Sequence, residues 1–280
     1  MNRSSALVGR AIALTSCALI AGVQLIAHDL WIEPSAFLLE AGKPLSVKLR
    51  VGVDLLGDPV PRDTAQIDRF IAVDAEGSRP IPGRDGMDPA GLWRATTPGL
   101  TIIGYSSKPS SIVLTGQKFH EYLAEEGLEA IAALRAQRNQ TGAEAREDFS
   151  RCAKALLWSG PSNAAQTDRA LGFTLELIAE RNPYVMRPGQ ELPVRLVYRD
   201  QPLSGALVVA INKRDPSVKL TARSGKDGRA TFRLSQPGMW LIKAVHMTEA
   251  PAGGAAQWAS FWASLTFQLP ETAAAPPAPR

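Results

Sequence analysis

The chain's only imidazoles are His28, His120 and His246, and their positions decide what chemistry it could support. The first 27 residues place Arg3 and Arg10 ahead of a largely apolar stretch, Ala11 to Ala27, that ends on a small residue. A basic start, a short apolar middle and a small residue before the cut are the layout of a secretory signal. Cleavage after Ala27 would make His28 the first mature residue, joining an α-amine and an imidazole in one ligand. Such a pair chelates divalent transition metals, and imidazole suits copper and nickel. His246 is the expected second ligand, at the rim of an apolar strand, and Asp29 is the nearest carboxylate. His120 stands beside Glu121 on a helical stretch and reads as part of a solvated face. A cut at Leu14-Thr15-Ser16-Cys17, which resembles a lipobox, would instead acylate Cys17 and remove the chelating amine.

Most enzyme classes lose support on motifs alone. The chain has no Gly-rich phosphate loop, CxxC pair, HExxH or GxSxG. Its formal charge of +4 falls to +2 without Arg3 and Arg10, which argues against nucleic acid as a partner. With the signal gone, Cys152 is the sole cysteine, so no internal disulfide forms and the core alone must hold the fold. Trp31, Trp93, Trp240, Trp258 and Trp262 read as core or sheet-edge residues before they read as a sugar platform. Glu125-Glu126 reads as a surface pair.

The elements that position these residues are strands. Leu45 to Val51 alternates apolar and polar residues, the period of a half-buried strand, and Leu192 to Tyr198 repeats it more loosely at an offset of 147. Trp93 to Gly99 matches Phe232 to Gly238 at an offset of 139, and each Pro-Gly leads into an apolar run. Two copies of one β-unit are expected. Trp240, Ile242, Ala244 and His246 share one face of their strand, with Leu241, Lys243 and Val245 on the other. Between the copies, Phe119, Tyr122, Leu123, Ile131 and Leu134 fall at helical spacings, and Phe149, Cys152, Ala153, Leu156 and Leu157 predict a further helix over 145–158. The expected organisation is a signal peptide 1–27, a first sandwich 28–115, a helical insertion 116–160, a second sandwich 161–269 and a disordered tail 270–280. The fold class is mainly β, two antiparallel β-sandwich units of immunoglobulin or prealbumin type with an inserted α-helical segment.

Three segments carry a resemblance: His28 to Ser35 (HDLWIEPS), Phe119 to Leu128 (FHEYLAEEGL) and Trp258 to Phe267 (WASFWASLTF). Together they resemble a bacterial family of unknown function whose members are associated with nickel uptake or cobalt transport in the periplasm, over nearly the whole chain from His28 to about Leu269. The resemblance implies a secreted β-rich protein tied to divalent metal uptake, with an inner-membrane transporter component as partner.

The expectation is therefore an exported, periplasmic or secreted, non-enzymatic protein. It would bind nickel, cobalt or copper through His28, His246 and Asp29 and assist the metal's uptake. Two other readings stand beside it: a metal-independent module for a glycan or a protein partner, and a copper enzyme built on an amino-terminal histidine brace.

Overall fold

The computed structural model describes residues 28–40, 42–160 and 165–271. The expected signal segment 1–27, residue 41, residues 161–164 of the segment joining the two copies, and 272–280 of the expected tail lie outside the described residues. The first copy runs β1 (Asp29–Pro34), β2 (Leu38–Leu39), β3 (Pro44–Val53), β4 (Leu56–Val60), β5 (Ile67–Asp74), β6 (Gly77–Pro80), β7 (Gly91–Arg94), β8 (Gly99–Ser107) and β9 (Ser110–Leu114). Helices α1 (Gly116–Glu125) and α2 (Glu129–Gln137) follow, then β10 (Ala145–Ser159). The second copy runs β11 (Leu175–Ala179), β12 (Glu191–Tyr198), β13 (Gln201–Pro202), β14 (Leu207–Asn212), β15 (Asp215–Arg223), β16 (Arg229–Arg233), β17 (Gly238–Glu249) and β18 (Trp258–Leu269).

The duplication expected from the offsets is visible in the strand pairing. In one small sheet β3 pairs with β1, β4 and β7; in another β12 pairs with β11, β13 and β16. Between them lies one ten-stranded sheet whose path, β6-β5-β8-β10-β18-β17-β14-β15, reads as the same four-strand order from either edge. Its halves meet where β10 and β18 pair in parallel, from Glu147 beside Trp258 to Ala155 beside Thr266. Equivalent strands that run parallel and adjacent imply a pseudo-twofold axis along them in the sheet plane. Such an axis exchanges the two faces of the sheet.

The side chains agree. Thr266 donates from Oγ1 to the Ile32 carbonyl of β1 at 2.7 Å, so Thr266 and its neighbour Ala155 point to a first face. Lys154, one residue along, points to the second face and donates to the Leu177 carbonyl of β11 at 3.1 Å. The two small sheets therefore cover opposite faces, and the chain is a pair of β-sandwiches sharing one central sheet. Burial on both faces explains why the central strands lack clean alternation.

That same burial corrects the reading of 145–158, which is strand rather than helix. Phe149, Cys152, Ala153, Leu156 and Leu157 fit a helical stripe, but Cys152 to Trp158 is an unbroken run buried beneath both small sheets. Short apolar runs do not discriminate the two by period alone. The helical part of the insertion is the α1–α2 hairpin, capped by Thr115, whose side chain accepts from the Lys118 amide at 3.4 Å. Phe119, Tyr122, Leu123, Leu128 and Ile131 pack on Val245, Met247, Trp258 and Trp262 of the first face.

Candidate functional site

Strand β1 runs from the candidate amino terminus over the first face, pairing with β3 on one side and lying across β10 and β18. Its first residue, Asp29, is buried and meets Lys243 of β17, Oδ1 to Nζ at 3.0 Å. Lys243 also donates to Glu126 Oε1, at the end of α1, at 2.8 Å. One ammonium thus ties together the start of β1, the second half of the sheet and the helical hairpin. Burial pushes both carboxyls up, Glu126 to about 7, against the pull of Lys243. Burial also works against the Lys243 ammonium, but the two carboxylates prevail and hold its pKa above the ordinary value.

A second buried group lies beside this triad. Glu147 of β10 accepts from Ser260 Oγ, and from the Tyr122 hydroxyl at 3.2 Å. Burial raises it to about 7 in spite of those bonds. Four ionisable side chains, Asp29, Glu126, Lys243 and Glu147, thus sit beneath the hairpin, where perturbed groups mark a candidate functional region.

His28 stands at the edge of this region. Its carbonyl accepts from Arg151 at 3.3 Å, and its side-chain Nδ1 is buried with no hydrogen-bond partner. It lines a cavity of about 600 Å³ together with the β3–β4 hairpin, including Asp54, Leu56 and Asp58. Asp54 is held by Lys219 at 2.8 Å.

His246 is elsewhere. It lies three residues beyond Lys243 on an extended strand and so points to the second face, with its ring 4.5 Å from that of Tyr198. Burial lowers its pKa, and the nearby Arg199 lowers it further. The expectation of one metal site built from His28, Asp29 and His246 is thus corrected: the central sheet separates the two imidazoles, and Lys243 engages the Asp29 carboxylate. The amino-terminal strand does pack against β17 as that site required, but on the opposite face. Among the described residues no three His, Cys, Asp or Glu side chains form a metal-ligand group. His120 is exposed on α1. The five tryptophans singled out above are buried, Trp31 completely, which makes them core rather than platform.

Sequence reasoning missed Glu126, which is 4% exposed rather than on the surface. The available signal was Lys243 itself, a lone cation inside the apolar run Met239 to Met247, since a buried charge requires a partner. Lys154 inside Cys152 to Trp158 gives the same signal and meets Asp168 at 2.8 Å and Glu176 at 3.1 Å.

No curated protein matches the chain. Among solved structures it is similar to the D0-D1 domain of intimin, at 11% identity and a TM-score of 0.20, over 85% of this chain and 97% of that one. It is also similar to a tetra-tandem repeat in the extending region of a large adhesion protein, at 12% identity and a TM-score of 0.21, over 88% of this chain and 50% of that one. The sandwich assignment rests on the strand pairing described above. The family model described as a domain of unknown function, DUF4198, matches residues 25–248, most of the chain, and the chain belongs to that family.

Proposed function

We propose that the chain is an exported, non-enzymatic protein that binds nickel, cobalt or copper at its amino terminus outside the inner membrane and passes the metal to an uptake component there. The site is His28 alone among the histidines: with residues 1–27 removed, its α-amine and Nδ1 close a six-membered chelate ring on one ion. The observation that carries this reading is the buried Nδ1 without a partner, since a buried imidazole nitrogen is ordinarily satisfied. Water completes the coordination, and Asp58, which lines the same cavity, is a further candidate ligand, whereas Lys219 engages Asp54. Arg151 fixes the backbone of residue 28 through its carbonyl, positioning the chelating atoms. A histidine-brace enzyme is the weaker reading, because its second imidazole would have to come from the far face of the sheet.

Calorimetric titration of Ni²⁺ into protein starting at His28 tests the proposal. Binding should disappear in His28→Ala and in a form carrying four extra residues before His28, and should persist in His246→Ala. Equal binding by the extended form would overturn the terminal chelate.

A further inference from the structure

The pseudo-twofold axis sets a comparison between the two halves. In the second half, the place where β1 begins against β17 is filled by Asp29, Lys243 and Glu126 and roofed by α1. The corresponding place in the first half is where β11 begins against β8, on the second face. There the offset of 139 puts Gly104 where the other copy has Lys243, and a Cβ on Gly104 would crowd Leu171 and Phe173. The ion cluster at the start of β11 is Lys154 with Asp168 and Glu176, the helical hairpin lies on the other face, and a pocket of about 290 Å³ opens beside Phe173 and Thr174.

We propose that this pocket, between the ends of β8 and β10 and the start of β11, binds an acidic monosaccharide unit, a hexuronate, with its carboxylate toward Arg69 and Lys108 and its ring against Phe261. Both cations line the pocket with donors to spare. Arg69 lies over the Phe173 ring at 5.1 Å and donates through Nη1 to the Leu171 carbonyl at 2.8 Å, leaving the rest of its fork free. Lys108 gives one of its three protons to the Ala65 carbonyl at 2.9 Å. Against these two cations the lining holds one carboxylate, Asp68, which accepts from Ser106 Oγ at 2.8 Å. The hydroxyls of Ser150 and Thr174 also line the pocket and suit the hydroxyls of a sugar.

Phe261 supplies the apolar wall and extends it. Its ring lies 5.3 Å from that of Tyr198, which in turn meets His246. This aromatic shelf, flanked by Arg199 over Tyr198 at 5.1 Å, would carry the next residue of an anionic glycan. It also gives His246 a role that needs no metal. The lining thiol, Cys152, is raised to about 11 chiefly by burial and stays protonated near neutral pH.

The test uses the mature protein with D-glucuronate, D-glucose and acetate as probes, followed by amide chemical shifts and calorimetry. Glucuronate should bind saturably, with shifts confined to the strands that line the pocket, β5, β8, β10, β18 and the start of β11, while glucose and acetate bind at least about tenfold more weakly. Arg69→Gln and Lys108→Gln should each weaken glucuronate about tenfold, as expected for loss of one charge-assisted hydrogen bond, and His28→Ala should leave it unchanged. Lys108 is exposed, so its variant keeps the test decisive if Arg69→Gln fails to fold. Absence of saturable binding, equal binding of glucose or acetate, or indifference to Lys108→Gln would each overturn the proposal.

Discussion

Replacing Lys243 by Met tests whether one buried ammonium joins the amino-terminal strand, the sheet and the helical hairpin. The side chains of Lys243, Asp29 and Glu126 are 11%, 6% and 5% exposed. Met keeps the volume and the apolar stem and deletes only the charge, leaving two buried carboxylates without their cation. Removing one partner of a buried ion pair costs about 3–5 kcal/mol, and in a chain of this size each kcal/mol lowers Tm by roughly 2–4 °C. Calorimetry should therefore record a fall of about 6–20 °C. Hydrogen exchange should show α1 losing protection first, because Glu126 ends that helix. Adding Asp29→Asn and Glu126→Gln to Lys243→Met should recover most of the loss, since neutral amides remove the stranded charges. A Lys243→Met protein melting within about 2 °C of the parent, with α1 protection intact, would refute the triad as the tie.

Three further outcomes follow from the same geometry. Lys154→Met strands Asp168 and Glu176, both fully buried, and should cost about 3–5 kcal/mol in urea unfolding; a loss under 1 kcal/mol would contradict it. Glu147 titrates near 7 in the fold and near 4.3 unfolded, so the folded state binds the extra proton between those values and stability falls as pH rises through about 7. Tyr122, Ser260, Arg151 and Asp148 face that carboxyl, and Glu147→Gln should reduce the fall in unfolding free energy, measured by urea between pH 5 and 8, by about 3 kcal/mol. Asp200 sits at φ 61° in the β12–β13 turn, where Gly carries no steric cost, and Asp200→Gly should stabilise by about 0.5–1 kcal/mol; destabilisation would show that its side chain matters.

Much of the architecture was legible because alternation survives where only one face of a strand is apolar. The β3 and β12 segments and the Pro-Gly entries into β8 and β17 exposed the duplication, and the Phe119, Tyr122 and Leu123 spacing exposed α1. The reading failed at β10, where burial by two small sheets erases the period and leaves a run that also suits a helix. It failed again at His246, because a strand pattern assigns residues to two faces without saying what covers each. The axis that exchanges those faces arises from the parallel pairing of β10 with β18, a contact between segments about 110 residues apart. Local pattern carries no signal for it, so the separation of His28 from His246 was hidden. Glu126 was hidden for a related reason: a Glu-Glu pair at a helix end is ordinarily solvated, and only the lone Lys243 across the fold calls one of them inward.

The central claim, that metal binding rests on the first mature residue, is tested most directly by electron paramagnetic resonance of protein starting at His28 loaded with one Cu²⁺. A terminal chelate gives nitrogen superhyperfine structure from the amine and Nδ1 of residue 28, lost in His28→Ala and in the extended form and unchanged in His246→Ala. A spectrum that keeps its nitrogen ligands in His28→Ala, or loses them in His246→Ala, would contradict it.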